Sequence, residues 1–292
     1  VVLRGLAGLV LAGAPAVAMA YVADELDPEA AGLAMGLYIA GTALGGMLGR
    51  LGCGALADLV GWRWAVAAVG AAGATAAALF HWSLPPSRRH RPARAESLAA
   101  RLQGFAAPFR DPGLPWLFAE GGLAMGAFVT VYNYLAFRLL APPYDLGQSA
   151  VAAVFALYLV GMVSSPLFGE AAGRLGRRRV LWAPMVIMLA GVGLTVLQPL
   201  GLVVAGVGLL TFGFFGAHSI ASSWVGRRSG AHKAAAASIY LLVYYVGSSV
   251  AGSVGGVFWA RAGWPGVAAF SAALVGLALV GAARLAVLKP LP

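Results

Sequence analysis

GLYIAGTALGGMLGRLGCGALADLVGWRW (36–64) recurs without a gap 202 residues later as SIYLLVYYVGSSVAGSVGGVFWARAGWPG (238–266). Tyr38 falls on Tyr240, Gly45 on Gly247, Gly54 on Gly256, and the pair Gly61-Trp62 on Gly263-Trp264. Glycines in apolar sequence coincide easily by chance. The tyrosine and the Gly-Trp pair, in register with the ends of apolar runs, carry the repeat. Both copies are long, apolar, almost uncharged and rich in glycine. That pattern suits helices packed in lipid, where small residues let backbones approach closely.

Outward from these two stretches the whole chain has the same character. Of its 292 residues, 61% are hydrophobic and only 10% are charged, and the mean hydropathy is +0.84. A soluble domain carries roughly a quarter charged residues, so this chain has too little polar surface to face water. A membrane helix needs about 20 mostly apolar residues. Nine stretches qualify, at 5–23, 31–56, 63–83, 114–138, 149–170, 180–198, 201–224, 234–259 and 265–288. One connection is long and basic (84–113), opens on Pro85 and Pro86, and holds a surface-helix candidate at 96–107. All eight tryptophans lie at or next to a segment end, as amphipathic indoles at the headgroup level would. The single cysteine, Cys53, rules out an internal disulfide and a Cys-based zinc site, and no metal or cofactor is expected.

The repeat matches the first three segments to the last three, leaving the middle three (114–198) without a partner. The reading is therefore an all-α membrane protein: nine of an expected twelve helices, with two pseudo-symmetric six-helix halves in parallel repeat. Residues 1–83 would be the last three helices of the first half, 84–113 a cytoplasmic linker, and 114–292 a complete second half. Three helices are expected ahead of Val1. Fifteen Lys and Arg lie in one set of loops and three (Arg63, Arg138, Arg261) in the other. The positive-inside rule puts the richer set in the cytoplasm, and the C-terminus with it, in a cell inner membrane. A net charge of +10 would suggest nucleic acid in a soluble protein. Here it orients helices, and no nucleic-acid partner is expected.

Three motifs resemble the major facilitator superfamily. GEAAGRLGRRRVL (169–181) is similar to that family's short cytoplasmic loop G-x-x-x-D-R-x-G-R-R. Gly169, Arg174, Gly176, Arg177 and Arg178 fill the pattern, while Gly173 stands where Asp is usual, with Glu170 close enough to substitute. Its glycines allow a tight turn and close helix approach, and its arginines suit helix C-termini and nearby acids. LRGLAGLVLAG (3–13) resembles the family's R-x-x-Q-G helix through Arg4 and Gly8, with Ala7 in place of Gln. GTALGGMLG (41–49) resembles the antiporter motif G-x-x-x-G-P-x-x-G-G through Gly41, Gly45 and Gly49, with Gly46 for Pro; plain helix packing by these four glycines explains it as well. FAEGGLAMGAFVTVYNY (118–134) is similar to bacterial drug- and sugar-efflux members.

The polar residues inside apolar spans are the site candidates. Glu120 lies about 9 Å into its segment, where an acid either carries a coupling proton or pairs with an interfacial Arg. Arg4 is a second coupling candidate if it lies within the membrane. His218 heads a polar stripe with Ser219, Ser222 and Ser223, and reads as a packing histidine or a proton relay. Tyr132 and Asn133 could bond a substrate or join helices. Tyr240 and Tyr244, with Tyr245, recur at helical spacing and line a cavity or pack.

The resemblance implies a secondary active transporter working by alternating access: proton-coupled efflux of a small organic molecule by a monomer in the lipid bilayer. Two other readings are an intramembrane serine protease, with Ser249 as nucleophile and His218 as base, and a non-transporting sensor or scaffold.

Overall fold

The structure is a computed structural model that describes residues 15, 17–19, 21–22, 24–85, 87 and 104–288. Arg4, most of the basic linker and most of the 96–107 surface helix lie outside them. Residues 104–106 are helical and run into a 3₁₀ turn, Ala107–Arg110.

Among the described residues the chain is helical, in this order: α1 Pro28–Val60, α2 Trp62–Ser83, α3 Leu114–Leu140, α4 Gln148–Ala153, α5 Tyr158–Leu175, α6 Arg177–Val180, α7 Trp182–Leu194, α8 Leu200–Arg228 and α9 Lys233–Val287. A 3₁₀ turn (Val154–Leu157) joins α4 to α5 into one bent crossing. α9 breaks at Gly263 into two crossings, 233–262 and 264–287. The short α6 and α7 make another crossing, and helical residues between Pro15 and Glu25 belong to the first expected segment. The nine expected stretches are therefore nine helical passes, the first only partly described. Among the described residues length and apolarity alone pick out six spans, because the first segment is only partly described, the two arms of α9 merge and α7 has only 13 residues.

The repeat has a backbone signature. Gly61 (φ 83°, ψ 155°) separates α1 from α2, and Gly263 (φ 56°, ψ −144°) separates the arms of α9. Side chains with a Cβ are strained at such φ values, so each copy turns sharply on the glycine before its tryptophan. The helices overrun the apolar stretches: α1 begins at Pro28, not 31, and α8 ends at Arg228, not 224. Apolarity marks the hydrocarbon layer, whereas a helix ends where its backbone is capped or broken. Trp62, Trp64, Trp82 and Trp182 are exposed as interfacial indoles should be, but Trp224 and Trp264 are 4% and 6% exposed and serve the bundle interior instead.

α3, α8 and α9 form the centre of the second half. α3 lies so close to α9 that a Cβ at Gly122 would meet the Val243 carbonyl oxygen at 2.9 Å, and one at Gly126 the Ala251 Cβ at 2.9 Å. The first half joins it through α1, which crosses α5 at the bundle end that carries the basic loops and also packs on α8. There a Cβ at Gly32 would lie 2.5 Å from the Gly169 carbonyl oxygen, and one at Gly36 2.6 Å from that of Ser165. Asp24 and Lys233 bridge the halves at the same end (2.8 Å). Away from it α1 diverges: among its described side chains beyond Ala40, only Met47 is buried.

At this basic end Asp111 anchors the start of α3. It accepts hydrogen bonds from the Gly113 and Leu114 backbone N–H groups (2.8 and 2.9 Å) and from Arg228 Nε and Nη2 (2.8 Å each). Gly113 makes room, since its Cβ would sit 2.6 Å from Arg228 Nε. Burial alone would raise the Asp111 carboxyl, but the bonds from Arg228, Gly113 and Leu114 hold it below its ordinary value of 3.8. A depressed carboxyl stabilises the fold above its unfolded-state value and loses that contribution as pH falls through the folded-state value. Asp111→Asn should therefore destabilise the protein by about 1–2 kcal/mol at neutral pH. Thermal melts of wild type and variant should converge as pH falls below 3.8; an unchanged gap there would exclude the ion pair as the cause.

Candidate functional site

The divergence of α1 opens a cavity of about 240 Å³ where both halves meet. α1 contributes Tyr38 and Thr42, α3 Phe128, α5 Tyr158, α8 Phe214, Phe215 and His218, and α9 Tyr244 and Tyr245. Tyr38 stands ten residues from the start of α1, hence about 15 Å from the basic end, near mid-membrane depth. Its wall is aromatic: Phe128 stacks on Phe214 at 4.1 Å, and Tyr244 lies 4.8 Å from the His218 ring and 5.2 Å from Tyr245. No Asp, Glu, Lys or Arg lines it among the described residues.

Of the substrate-cavity candidates, Tyr244 reaches this space. Tyr132 is buried behind Phe128 (rings 4.8 Å apart), its hydroxyl 2.9 Å from Thr211 Oγ1. Asn133 is exposed beside Gly252 on another face of α3, because consecutive helical residues point about 100° apart. Tyr240 is fully buried one layer behind Tyr244 and lines a second, narrower gap.

That narrow gap holds Glu120. The side chain is 1% exposed, and neither carboxyl oxygen has a hydrogen-bond partner among the described residues. Among the described residues no arginine reaches it, and the interfacial ion-pair reading finds no partner there. α3 turns Glu120 inward, toward the second arm of α9, where a Cβ at Gly281 would lie 3.2 Å from Oε2. The rest of the lining is apolar except for Tyr240 and His218. An unpaired carboxylate is far more costly to bury than a neutral acid. His218 Nδ1 is 2.7 Å from the Tyr240 hydroxyl, so the histidine is both packed and hydrogen-bonded. It also lines the central cavity, touching both spaces.

The loop motif sits where the halves cross. Gly169 is the contact on Gly32, and Gly176 (φ 92°) turns the chain from α5 into α6. Arg177 is 7% exposed and donates from Nε to Ser223 Oγ (3.2 Å). Burial, with Arg227 adding, pushes its guanidinium down to about 10, still charged at neutral pH. Arg178 is half-buried. Glu170 does not substitute for the missing Asp as a link between halves: it pairs with Arg174 of its own helix (2.6 Å) on an exposed face, where such pairs contribute about 0.3–0.5 kcal/mol.

The glycines of 41–49 pack against nothing described: no atom lies within 4 Å of a Cβ at Gly41, Gly45, Gly46 or Gly49. Gly45 and Gly49 instead share the helical face of Tyr38, about two and three turns farther from the basic end. The protease reading lacks its nucleophile–base pair, since His218 Nδ1 bonds the Tyr240 hydroxyl and Ser249 lies on an exposed face of α9. Sequence reasoning missed Thr42, Phe128, Tyr158, Phe214 and Phe215 as cavity walls, and Tyr38 too, although the repeat pairs it with Tyr240.

The family profile described as Major Facilitator Superfamily matches residues 1–162. The inner membrane transport protein YnfM of Escherichia coli (strain K12) is 44% identical over 284 residues, covering 97% of this chain and 68% of its own length. The chain belongs to the Major Facilitator Superfamily. The uncharacterized MFS-type transporter YybF of Bacillus subtilis (strain 168) is 41% identical over 266 residues, covering 91% of this chain and 66% of its own. The chain thus spans about two thirds of the length of these curated relatives. Among solved structures, the human organic anion transporter MFSD10 (TETRAN) superposes with a TM-score of 0.69 at 18% identity, over 90% of this chain and 66% of that one. A bacterial homologue of the iron transporter ferroportin, in an outward-facing state, gives 0.64 at 16%, over 89% and 65%. These two likenesses establish the superfamily fold. Membership gives the chain the multi-pass helical fold of a superfamily of membrane transporters, a class that is not enzymatic.

Proposed function

We propose that the protein moves a small organic molecule by alternating access through the aromatic cavity between its halves, in exchange for protons held at Glu120, in the direction of efflux. The observation that carries this reading is the cavity itself. It lies near mid-depth, is walled from both sides of the repeat, and is closed toward the basic end by the α1–α5 crossing, while Gly45 and Gly49, farther along the same face of α1, meet no described atom. With the basic loops in the cytoplasm, the C-terminus is cytoplasmic and the cavity faces outward. The halves divide as 1–83 and 114–292, joined by the linker 84–113, and the protein works as a monomer in the inner membrane. Efflux rests on the likeness of 118–134 to efflux members.

Cysteine accessibility tests it. In a Cys53→Ala background, Gly45→Cys and Gly49→Cys should react with a membrane-impermeant maleimide from the periplasmic side, and Arg178→Cys only from the cytoplasmic side. An added transported compound should change the reactivity at Gly45→Cys by about tenfold, since a population ratio moves tenfold per 1.4 kcal/mol of preferential binding. Reaction of all three from one side, or a Gly45→Cys reactivity that no transported compound alters, would overturn the reading and leave a static scaffold.

A further inference from the structure

Glu120 is sealed away from the cavity it would have to serve, so proton coupling there needs a connection, and three side chains supply one. Tyr240 lies flat against α3 beside the acid: a Cβ at Gly121 would come within 2.6 Å of its ring and 3.1 Å of its hydroxyl. That hydroxyl is 2.7 Å from His218 Nδ1. The two rings lie near parallel (15°, centroids 5.6 Å), and Phe214 stacks on the other side of the imidazole (1°, 6.0 Å), fixing its plane. His218 is half-buried amid buried neighbours, and it lines both Glu120's gap and the central cavity. Its Nε2 is not among the sealed, unbonded atoms, whereas both Glu120 oxygens are.

We infer that Tyr240 and His218 are the conduit by which protons pass between Glu120 and the central cavity. The inference rests on the proton-coupling role proposed above for Glu120. Release runs outward: the Glu120 O–H bond breaks as its proton passes to the Tyr240 oxygen. The Tyr240 O–H proton passes to His218 Nδ1, and the Nε2–H proton leaves to a water molecule in the cavity, which becomes hydronium and carries it out. The products are a Glu120 carboxylate, an intact tyrosine, and neutral His218 in its Nδ1–H tautomer. Uptake runs the same bonds in reverse, from a proton arriving at Nε2 to a neutral Glu120 and the Nε2–H tautomer. In this structure neither Glu120 oxygen is bonded to Tyr240, so the transfer requires the carboxyl to reach the tyrosine hydroxyl across their shared gap.

Among the described residues no acid or base besides Glu120 and His218 lines this route. The other titratable groups facing it are tyrosines: Tyr240, Tyr244 and Tyr245 on α9, Tyr158 on α5 and Tyr38 on α1. This assigns Tyr240 a role that neither cavity lining nor packing requires, and it gives His218 its place at the boundary of two spaces.

The test uses Tyr240→Phe, which removes one oxygen and keeps the packed ring, beside Glu120→Gln and His218→Gln in the full chain reconstituted in proteoliposomes. Two rates are read for a compound the wild type carries: transport driven by an imposed pH gradient, and gradient-free exchange of labelled for unlabelled compound. Tyr240→Phe should slow the driven rate by about tenfold or more, enlarge its solvent deuterium isotope effect, and leave exchange within about twofold. His218→Gln should do the same to the driven rate. A normal driven rate in Tyr240→Phe, with Glu120→Gln uncoupled, would overturn the conduit and spare Glu120. Normal driven rates in both variants would overturn the coupling site as well. Equal loss of driven transport and exchange in Tyr240→Phe would make the tyrosine a structural support and also overturn the conduit.

Discussion

Glu120→Gln is expected to reduce proton-driven transport to the level of empty vesicles while leaving insertion, folding and gradient-free exchange intact. The substitution is nearly isosteric. The site has 1% exposure and no bonding partner for either oxygen among the described residues, so no ion pair or hydrogen bond is lost with the acid. Stability should therefore move by less than about 1 kcal/mol, the range of a substitution that creates neither a cavity nor an unpaired charge. What disappears is the ability to exist in two charge states. If the carboxyl is neutral while sealed, it can release its proton only when a conformational change or a closing contact opens a route, which ties the proton to the transport cycle. Glutamine cannot follow that change. Exchange without a gradient needs only the cavity between the halves, whose lining does not include Glu120. A Glu120→Gln protein that accumulates its substrate normally across a range of pH would make the acid an oddity of packing and remove the coupling site from this half.

The backbone plan was legible because it depends on local features. Apolar length gave the helical passes, and the Gly-Trp pair located both sharp turns, at Gly61 and Gly263, since a positive φ is a property of one residue. Facing relations were less legible. Tyr132 and Asn133 read alike in sequence, yet their helical phase buries one and exposes the other. Phase counted from the buried positions Phe128, Val131 and Leu135 would have favoured Tyr132. The bond between His218 and Tyr240 crosses 22 residues and a turn, and nothing local encodes it. Glu120 was recognisable as a buried acid, but whether an arginine met it depended on α9, which presents Gly281 there. The glycines at 41–49 misled for a different reason. Small residues permit close packing without requiring it, and α1 spends its close contact at Gly32 and Gly36 instead.

The second large effect is expected at Gly169. α1 and α5 cross there with the Gly32 carbonyl against the Gly169 Cα, leaving no room for a side chain on either helix. Closure of the basic end rests on this crossing, on Gly36 against Ser165, and on the partly exposed Asp24–Lys233 pair, which contributes about 1 kcal/mol or less. Inserting a side chain into a packed contact costs about 1–3 kcal/mol even where side chains can yield. Here the opposing atoms are backbone, so Gly169→Leu should reach or exceed the upper value. Most of the penalty falls on one conformation, because the Gly32 backbone is the nearer and less yielding obstacle. The other neighbour, Ser219 Oγ of α8 at 3.0 Å, is a side chain of the same half that meets the new group in every state. The contact with Ser219 costs both states alike, but the state closed at the basic end loses further stability relative to the state open there, and about 3 kcal/mol shifts that balance by roughly a hundredfold. Gly169→Leu should therefore fold and insert, transport at background rates, and show Gly45→Cys reactivity from the outer side reduced by at least about tenfold. Gly169→Ala should show the same signs in weaker form. Undiminished Gly45→Cys labelling together with normal transport in Gly169→Leu would mean that the halves can close the basic end without this contact, and that the glycine serves the turn into α6 alone.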